Sequence, residues 1–477
     1  MATFPSTPVD ASTLFMVGST TKAFTAAAMS LLVDDEHVQW DTPISNIIRD
    51  DFVLEDEYVT THITIEDALS HRSGMPRHDM SYGGHYNGHY ITSKDVVRSL
   101  RYLPLTAEIR TKWQYCNMMY VVASYIIETL TGSWLGDVIR TRILEPLDMK
   151  STYFSATAAR KAAEHFAQGY YYHNGSYHEV PDMELHQVTG AGFIVSNVLD
   201  YTKWIRAMVD QASPISKAGH RAIRTPRTLY AEFGDDYAWT GPFAYSLGWF
   251  NGVYKGYEVY WHTGGMEAFG ALVVILPKIR YGLVAFGNIA TRSNSAEEVL
   301  IWHLVDERLG IKEDERYDWN KKYVFDKSNR LGRYLLTSVR NQKSMEKEKH
   351  FLDNAKSLLF PNIPSPPLPL SLPLESYIGT YSHPAYKNMT ITLPPSSSGS
   401  SRLHIDRKDV TWKIFMDLEH VSREHFLAWT DSLTAPEGSF KTAIAAEFRL
   451  GVDGTVTEFG ARMEEAMGEE KIWFKRV

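Results

Sequence analysis

The sequence contains a single cysteine, Cys116, among 477 residues, which excludes an intrachain disulfide and fits a reducing compartment. It has no basic excess: 57 Asp and Glu against 49 Lys and Arg give a net charge of -8, which argues against nucleic acid as a partner. No apolar run approaches the roughly 18 residues that a membrane span requires. The opening residues Met1-Ala2-Thr3-Phe4-Pro5 carry neither the basic region nor the apolar core of a secretory signal, so the expectation is a cytoplasmic protein with no membrane span. Ligand clusters are also lacking. His78, His85 and His89 have a loose metal-like spacing, but glycine and tyrosine surround them rather than carboxylates, and neither a metal nor a cofactor is expected.

What the chain does have is an ordinary globular balance, 44% hydrophobic and 22% charged, in a length that favours more than one domain. Near its start, Gly18-Ser19-Thr20-Thr21-Lys22 runs directly into Ala23-Phe24-Thr25-Ala26-Ala27-Ala28-Met29-Ser30-Leu31-Leu32. Phe24, Ala27, Ala28, Leu31 and Leu32 follow helical spacing and the positions between are small or apolar, which reads as a helix buried nearly all round. Lys22 lies one turn after Ser19 on the same face, within reach of its hydroxyl. Burial and the positive helix end both disfavour the charged amine, which would suit Lys22 to act as a base toward Ser19. A serine that merely caps a core helix would leave the same pattern.

Farther along, Thr64 to His71 reads as a short capped helix. Asn117 opens another helix that stops at Gly132, and two more are expected over Trp134 to Leu147 and Asp200 to Val209. From Tyr245 the pattern changes to strands: Tyr245 to Tyr254, Tyr257 to His262, Ala268 to Leu276 and Gly282 to Gly287 form an antiparallel meander, followed by a helix to Leu309. Residues 312–373 are charged and then rich in proline, which reads as a linker. Eight short strands beyond it, from Tyr377 to Phe474, predict a small β-barrel or sandwich.

Two further motifs join the serine and lysine. Trp113-Gln114-Tyr115-Cys116-Asn117 sets a tyrosine just before a helix, and Trp261-His262-Thr263-Gly264-Gly265 ends a strand on two glycines. Ser-x-x-Lys, Tyr-x-Asn and His-Thr-Gly in this order resemble the serine β-lactamase and penicillin-binding-protein superfamily, above all its class C β-lactamase-related esterases, acyltransferases and D-aminopeptidases. The resemblance runs from about Asp10 to Leu309 and includes Leu69-Ser70-His71-Arg72-Ser73-Gly74, Ala191-Gly192, Gly248-Trp249 and Gly287-Asn288. It implies an α/β (α+β) transpeptidase fold, an antiparallel sheet flanked by helices with an inserted all-helical region. On this basis residues 1–311 are a catalytic domain, 312–373 a linker and 374–477 a lipocalin-like barrel.

The resemblance implies that Ser19 attacks a carbonyl, Lys22 takes its proton, Tyr115 shuttles a proton to the leaving group and Asn117 orients Lys22 and the substrate. The backbone N–H groups of Ser19 and Gly265 would form the oxyanion hole, and His262 stands where many β-lactamases have lysine. Thr263, Gly264 and Glu267 are expected beside the substrate, with Tyr82, Tyr86 and Tyr171 as aromatic walls. Only 18 residues precede Ser19, fewer than in such relatives, so N-terminal strands are expected to be missing and the bare sheet edge offers a homodimer contact. The expected activity is that of a serine hydrolase or acyltransferase acting on a small, neutral ester or amide. D-amino-acid peptidase or β-lactamase activity is an alternative within the class, and a catalytically silent scaffold is the alternative outside it.

Overall fold

A computed structural model of the chain describes residues 8–86, 88–162, 165–231, 239–322, 342–394 and 402–477. They divide into two units, one made of Met1–Arg77 and Ile91–Tyr323, the other of His78–Tyr90 and Val324–Val477.

The first unit is built on a six-stranded antiparallel sheet: β1 Thr228–Ala231, β2 Phe243–Tyr245, β3 Phe250–Tyr254, β4 Tyr257–Gly265, β5 Gly270–Leu276 and β6 Tyr281–Gly287. The strands lie in chain order, β6-β5-β4-β3-β2-β1, so the expected meander is present and β1 extends it. Among the described residues β6 is an edge strand of this sheet. β5 is buried along its whole length, as its unbroken Gly-Ala-Leu-Val-Val-Ile-Leu run requires of a strand covered on both faces.

Four helices matter for the site: α1 Thr21–Asp34, α2 Asn117–Thr131, α3 Val198–Asp210 and α4 Ser293–Leu309. Every residue of α1 from Thr21 to Leu32 is buried, in keeping with its apolar positions on all sides. Phe24 stacks on Trp204 of α3 at 4.2 Å, a geometry that adds roughly 0.5–1.5 kcal/mol beyond the area it buries. α2 ends on Gly132 in the left-handed conformation, and the short helix at Ile65–Leu69 has the reciprocal Thr64–Asp67 capping box. The helix expected over 134–147 is less regular: Leu135–Ile139 is followed by a π turn at Arg140–Leu144.

The second unit holds a closed eight-stranded barrel: β7 Gly379–His383, β8 Lys387–Thr392, β9 Leu403–Arg407, β10 Ile414–Ser422, β11 His425–Ser432, β12 Thr442–Leu450, β13 Val456–Ala461 and β14 Ile472–Arg476. Closure is by β7 on β14, with Tyr381 opposite Arg476, and it leaves no open edge. Part of the stretch read as a linker is ordered here. The helix Gln342–Leu359 packs Phe351, Ala355 and Leu359 against Val421, Leu427 and Ala443 of the barrel. In the proline-rich segment, Leu368 N donates to Ser422 Oγ and Leu368 O accepts from Arg423 N. Residues 323–341 of that stretch lie outside the described residues. The histidine- and tyrosine-rich segment His78–Tyr90 belongs to this unit: His78 N donates to Glu464 Oε2 at 2.7 Å and Arg407 Nη1 to Met80 O.

Candidate active site

Ser19 sits in a single 3-10 turn, Gly18–Thr20, that feeds α1. Gly18 has φ +52°, and a Cβ on it would lie 2.9 Å from the Gly265 nitrogen, so this turn can approach the end of β4 only as glycine. The end of β4 is shaped by the same need. Pairing with β3 stops at Trp261, whereas pairing with β5 continues to Gly265 opposite Gly270. His262 to Gly265 therefore present one side to the serine turn, and a Cβ on Gly264 would press into the Val17 carbonyl, 2.9 Å from its carbon.

The first two motifs converge on one oxygen. Lys22 Nζ lies 3.1 Å from Ser19 Oγ, and the Tyr115 hydroxyl donates to that oxygen at 2.7 Å. Lys22 also donates to Asn117 Oδ1 at 2.7 Å and to the Ala191 carbonyl at 2.9 Å. Those two partners can only accept, so each holds one of the nitrogen's hydrogens, with Ser19 Oγ as a further neighbour. Lys22 is fully buried, with its nitrogen 4.7 Å from the centre of the Tyr115 ring and 5.2 Å from that of Tyr120. A serine hydroxyl held between a buried amine and a phenol can lose its proton to the one and return it through the other.

The third motif contributes a neutral group. His262 Nδ1 faces the carbonyl of Thr263 at 2.7 Å and Nε2 faces the Tyr245 hydroxyl at 2.9 Å. A carbonyl cannot donate, so Nδ1 carries the hydrogen and Nε2 accepts from Tyr245. Burial, and then the nearby Lys22 ammonium, lower the His262 pKa to about 3. His71, fully buried beside the Tyr115 ring at 4.3 Å between centres, is also held well below the usual range, by burial and then by Lys22. Its Nδ1 accepts from Cys116 N at 3.1 Å, which fixes the backbone between Tyr115 and Asn117.

The remaining expected residues are distributed more widely. Thr263 and Gly264 continue β4, and Glu267 is largely buried just beyond it. Tyr171 is buried in a hairpin, Gly169–His173 with Ser176–Val180; a Cβ on Gly169 would lie 2.7 Å from that of Ala268, so the hairpin packs just past the third motif. Tyr82 and Tyr86 fall in the barrel unit. There the Tyr82 carbonyl accepts from Thr411 N, and Lys387 lies 5.0 Å from the centre of the Tyr86 ring.

Sequence reasoning passed over Tyr245, the donor to His262, and the carbonyl of Ala191, the third partner of Lys22. A signal for the latter existed in Gly190-Ala191-Gly192, whose flanking glycines let a backbone carbonyl come close to a side chain. Tyr245 had none beyond being an aromatic residue in a strand.

The model of the family described as Beta-lactamase matches residues 3–305, and that of a Domain of unknown function (DUF3471) matches 364–476. The chain is 42% identical to Unguisins hydrolase ungD' of Aspergillus campestris (strain IBT 28561), over all of this chain and 85% of that protein. It is 38% identical to Unguisins hydrolase ungD of Aspergillus violaceofuscus (strain CBS 115571), over 99% and 83%. Among solved structures, the octameric penicillin-binding protein homologue from Pyrococcus abyssi shares its fold, with a TM-score of 0.56 at 17% identity over 98% of this chain and 90% of that one. A family match across most of the first unit, joined to near full-length likeness to two hydrolases, makes the chain a hydrolase-type member of the β-lactamase family, in the serine β-lactamase and penicillin-binding-protein-like superfamily.

Proposed function

We propose that the chain hydrolyses a small, uncharged amide or ester through a covalent acyl-enzyme on Ser19. The observation that carries this reading is the sharing of Ser19 Oγ by Lys22 at 3.1 Å and Tyr115 at 2.7 Å. Lys22 in its amine form takes the hydroxyl proton as Oγ bonds to the substrate carbonyl carbon, and the carbonyl oxygen becomes an oxyanion held by the N–H groups of Ser19 and Gly265. The bond to the leaving group then breaks. Tyr115 gives that group its proton and is resupplied from the Lys22 ammonium, with Asn117 keeping Lys22 in line. Water reverses the sequence: Tyr115 passes its proton to the Lys22 amine as it takes one from the attacking water, the bond from the carbonyl carbon to Ser19 Oγ breaks as the Lys22 ammonium returns a proton to that oxygen, and the acid departs.

A neutral substrate is favoured because His262 brings no charge to the third motif and Glu267 follows it. Hydrolysis rather than transfer to another acceptor is favoured by the names of the two relatives, and unguisins are the first compounds to try. Intact-mass measurement after exposure to a fluorophosphonate and to p-nitrophenyl esters tests the nucleophile. The full chain should gain one adduct and Ser19→Ala none; an adduct that persists in the Ala variant removes Ser19 from this role.

A further inference from the structure

On the helix side of the strand that ends at Gly265, the sheet is stripped of side chains. Gly265 stands opposite Gly270 on β5, and Gly270 opposite Gly287 on β6. A Cβ on Gly270 would lie 2.7 Å from Glu297 Oε1 and from Ser293 Cβ, and one on Gly287 would lie 2.7 Å from Ser293 Cβ. This lane of glycines lets the first turn of α4 rest directly on the backbone.

That turn brings Asn294 to the oxyanion strand. Its Nδ2 donates to the Gly264 carbonyl at 2.8 Å and lies 3.4 Å from the Ala271 carbonyl and 3.1 Å from Glu297 Oε2. Both carbonyls can only accept, so the amide nitrogen, not its oxygen, must face the strand. The Gly264 carbonyl and the Gly265 N–H belong to one planar peptide unit, and in extended backbone they point to opposite sides. Holding the carbonyl from behind aims the N–H forward, and a hydrogen bond to the carbonyl strengthens that N–H as a donor.

Asn294 and Glu297 are both buried. Burial, and then the neighbouring Glu298, raise the Glu297 carboxyl well above its usual range. Its oxygen accepts from Asn294, and burial disfavours a negative charge on it behind a site where an oxyanion must form.

We propose that Asn294, steadied by Glu297, is a positioning residue for the oxyanion hole: it orients and polarises the Gly264–Gly265 peptide from the side of the sheet opposite the substrate. The proposal rests on the assignment of Ser19 and the Gly265 N–H under Proposed function. A residue acting in this way should affect the transition state more than substrate binding.

The test uses the full chain with p-nitrophenyl acetate as a neutral ester, and the rate of fluorophosphonate labelling as a measure of acylation. Active sites are counted by the labelled fraction, so that misfolded protein does not enter kcat. Asn294→Leu should lower kcat about tenfold or more and slow labelling by a similar factor. KM should stay within about threefold, and the pH dependence of kcat/KM should keep its midpoint. Asn294→Ala, which demands no extra room, should show the same split, while Leu300→Ala on the exposed side of α4 should match the unaltered chain. Variants that label and turn over within about twofold of the unaltered chain, or a loss that lies in KM, overturn the proposal. Failure of the unaltered chain to label overturns the Ser19 assignment and this proposal with it, whereas normal labelling with unaffected variants overturns this proposal alone.

Discussion

The neutrality of His262 can be measured as a pH-dependent stability. Its folded pKa lies near 3 because it is buried beside Lys22, against about 6.5 in an unfolded chain. The folded state then binds no proton where the unfolded state does, so this contribution is complete above about pH 6.5 and is lost as the pH falls toward 3. Between pH 7 and pH 5 the unfolded imidazole gains about 2 kcal/mol from protonation that the folded one forgoes. His71 acts in the same direction and Glu297 in the opposite one, so the total slope of the protein is a mixture. Comparison with His262→Gln removes the Glu297 contribution and most of that of His71, whose main causes, burial and Lys22, are the same in both proteins. The difference in unfolding free energy between the unaltered chain and the variant should therefore be about 2 kcal/mol less favourable to the unaltered chain at pH 5 than at pH 7. Hydrogen exchange of peptides spanning β4 and β5, measured against urea, reports the opening of this sheet specifically. A change below about 0.5 kcal/mol would mean that His262 is protonated in the fold; the third motif would then carry charge, and the preference for uncharged substrates would lose its basis.

Lys22→Ala and Tyr115→Phe should each lower turnover of a p-nitrophenyl ester by on the order of 10²-fold or more, the usual effect of losing an acid-base group; a near-normal rate in either variant reassigns the proton path. Gly264→Ala should lower activity sharply and destabilise the first unit by about 1–3 kcal/mol in a urea titration, since the new methyl must displace the Val17 carbonyl; a wild-type midpoint would show that the close approach is not needed. A neutral p-nitrophenyl ester should exceed nitrocefin in kcat/KM. Preference for nitrocefin by about tenfold, roughly 1.4 kcal/mol in the transition state, would contradict the account of the third motif.

The parts of this protein legible in the sequence are those set by local rules. The helix after Ser19 follows from its apolar periodicity, the meander from Tyr245 to Gly287 from β-branched runs between turns, and the eight barrel strands from short alternating segments; each appears where its residues indicate. The three motifs stand out because their residue types and order are chemically restrictive, and the first two converge on Ser19 Oγ and Lys22 Nζ. What escaped depends on tertiary contacts that leave no local trace. Tyr245 and Tyr120 look like core aromatics, yet one donates to His262 and the other lies beside Lys22. Asn294 and Glu297 resemble an ordinary helix start, and only the alignment of three glycines on separate strands reveals what they touch. The partners of the segment His78–Tyr90, among them Tyr386, Arg407 and Glu464, lie some 300 residues or more downstream, so no local pattern reveals them.

That last separation governs how the chain can be made. The contact from His78 to Glu464 spans 386 residues, and translation at 5–20 residues per second takes roughly 20–80 s to cover it. For most of that interval the segment has left the ribosome while the residues it will hydrogen-bond do not yet exist. The three motifs, in contrast, are all synthesised by Gly265. The order of synthesis thus allows the serine, lysine, tyrosine and histidine to meet on a nascent chain, while a tyrosine-rich strip inserted among them stays unsatisfied until almost the last strand emerges. Ribosome-bound intermediates of this protein would expose that strip, and expression hosts that translate slowly would expose it longest.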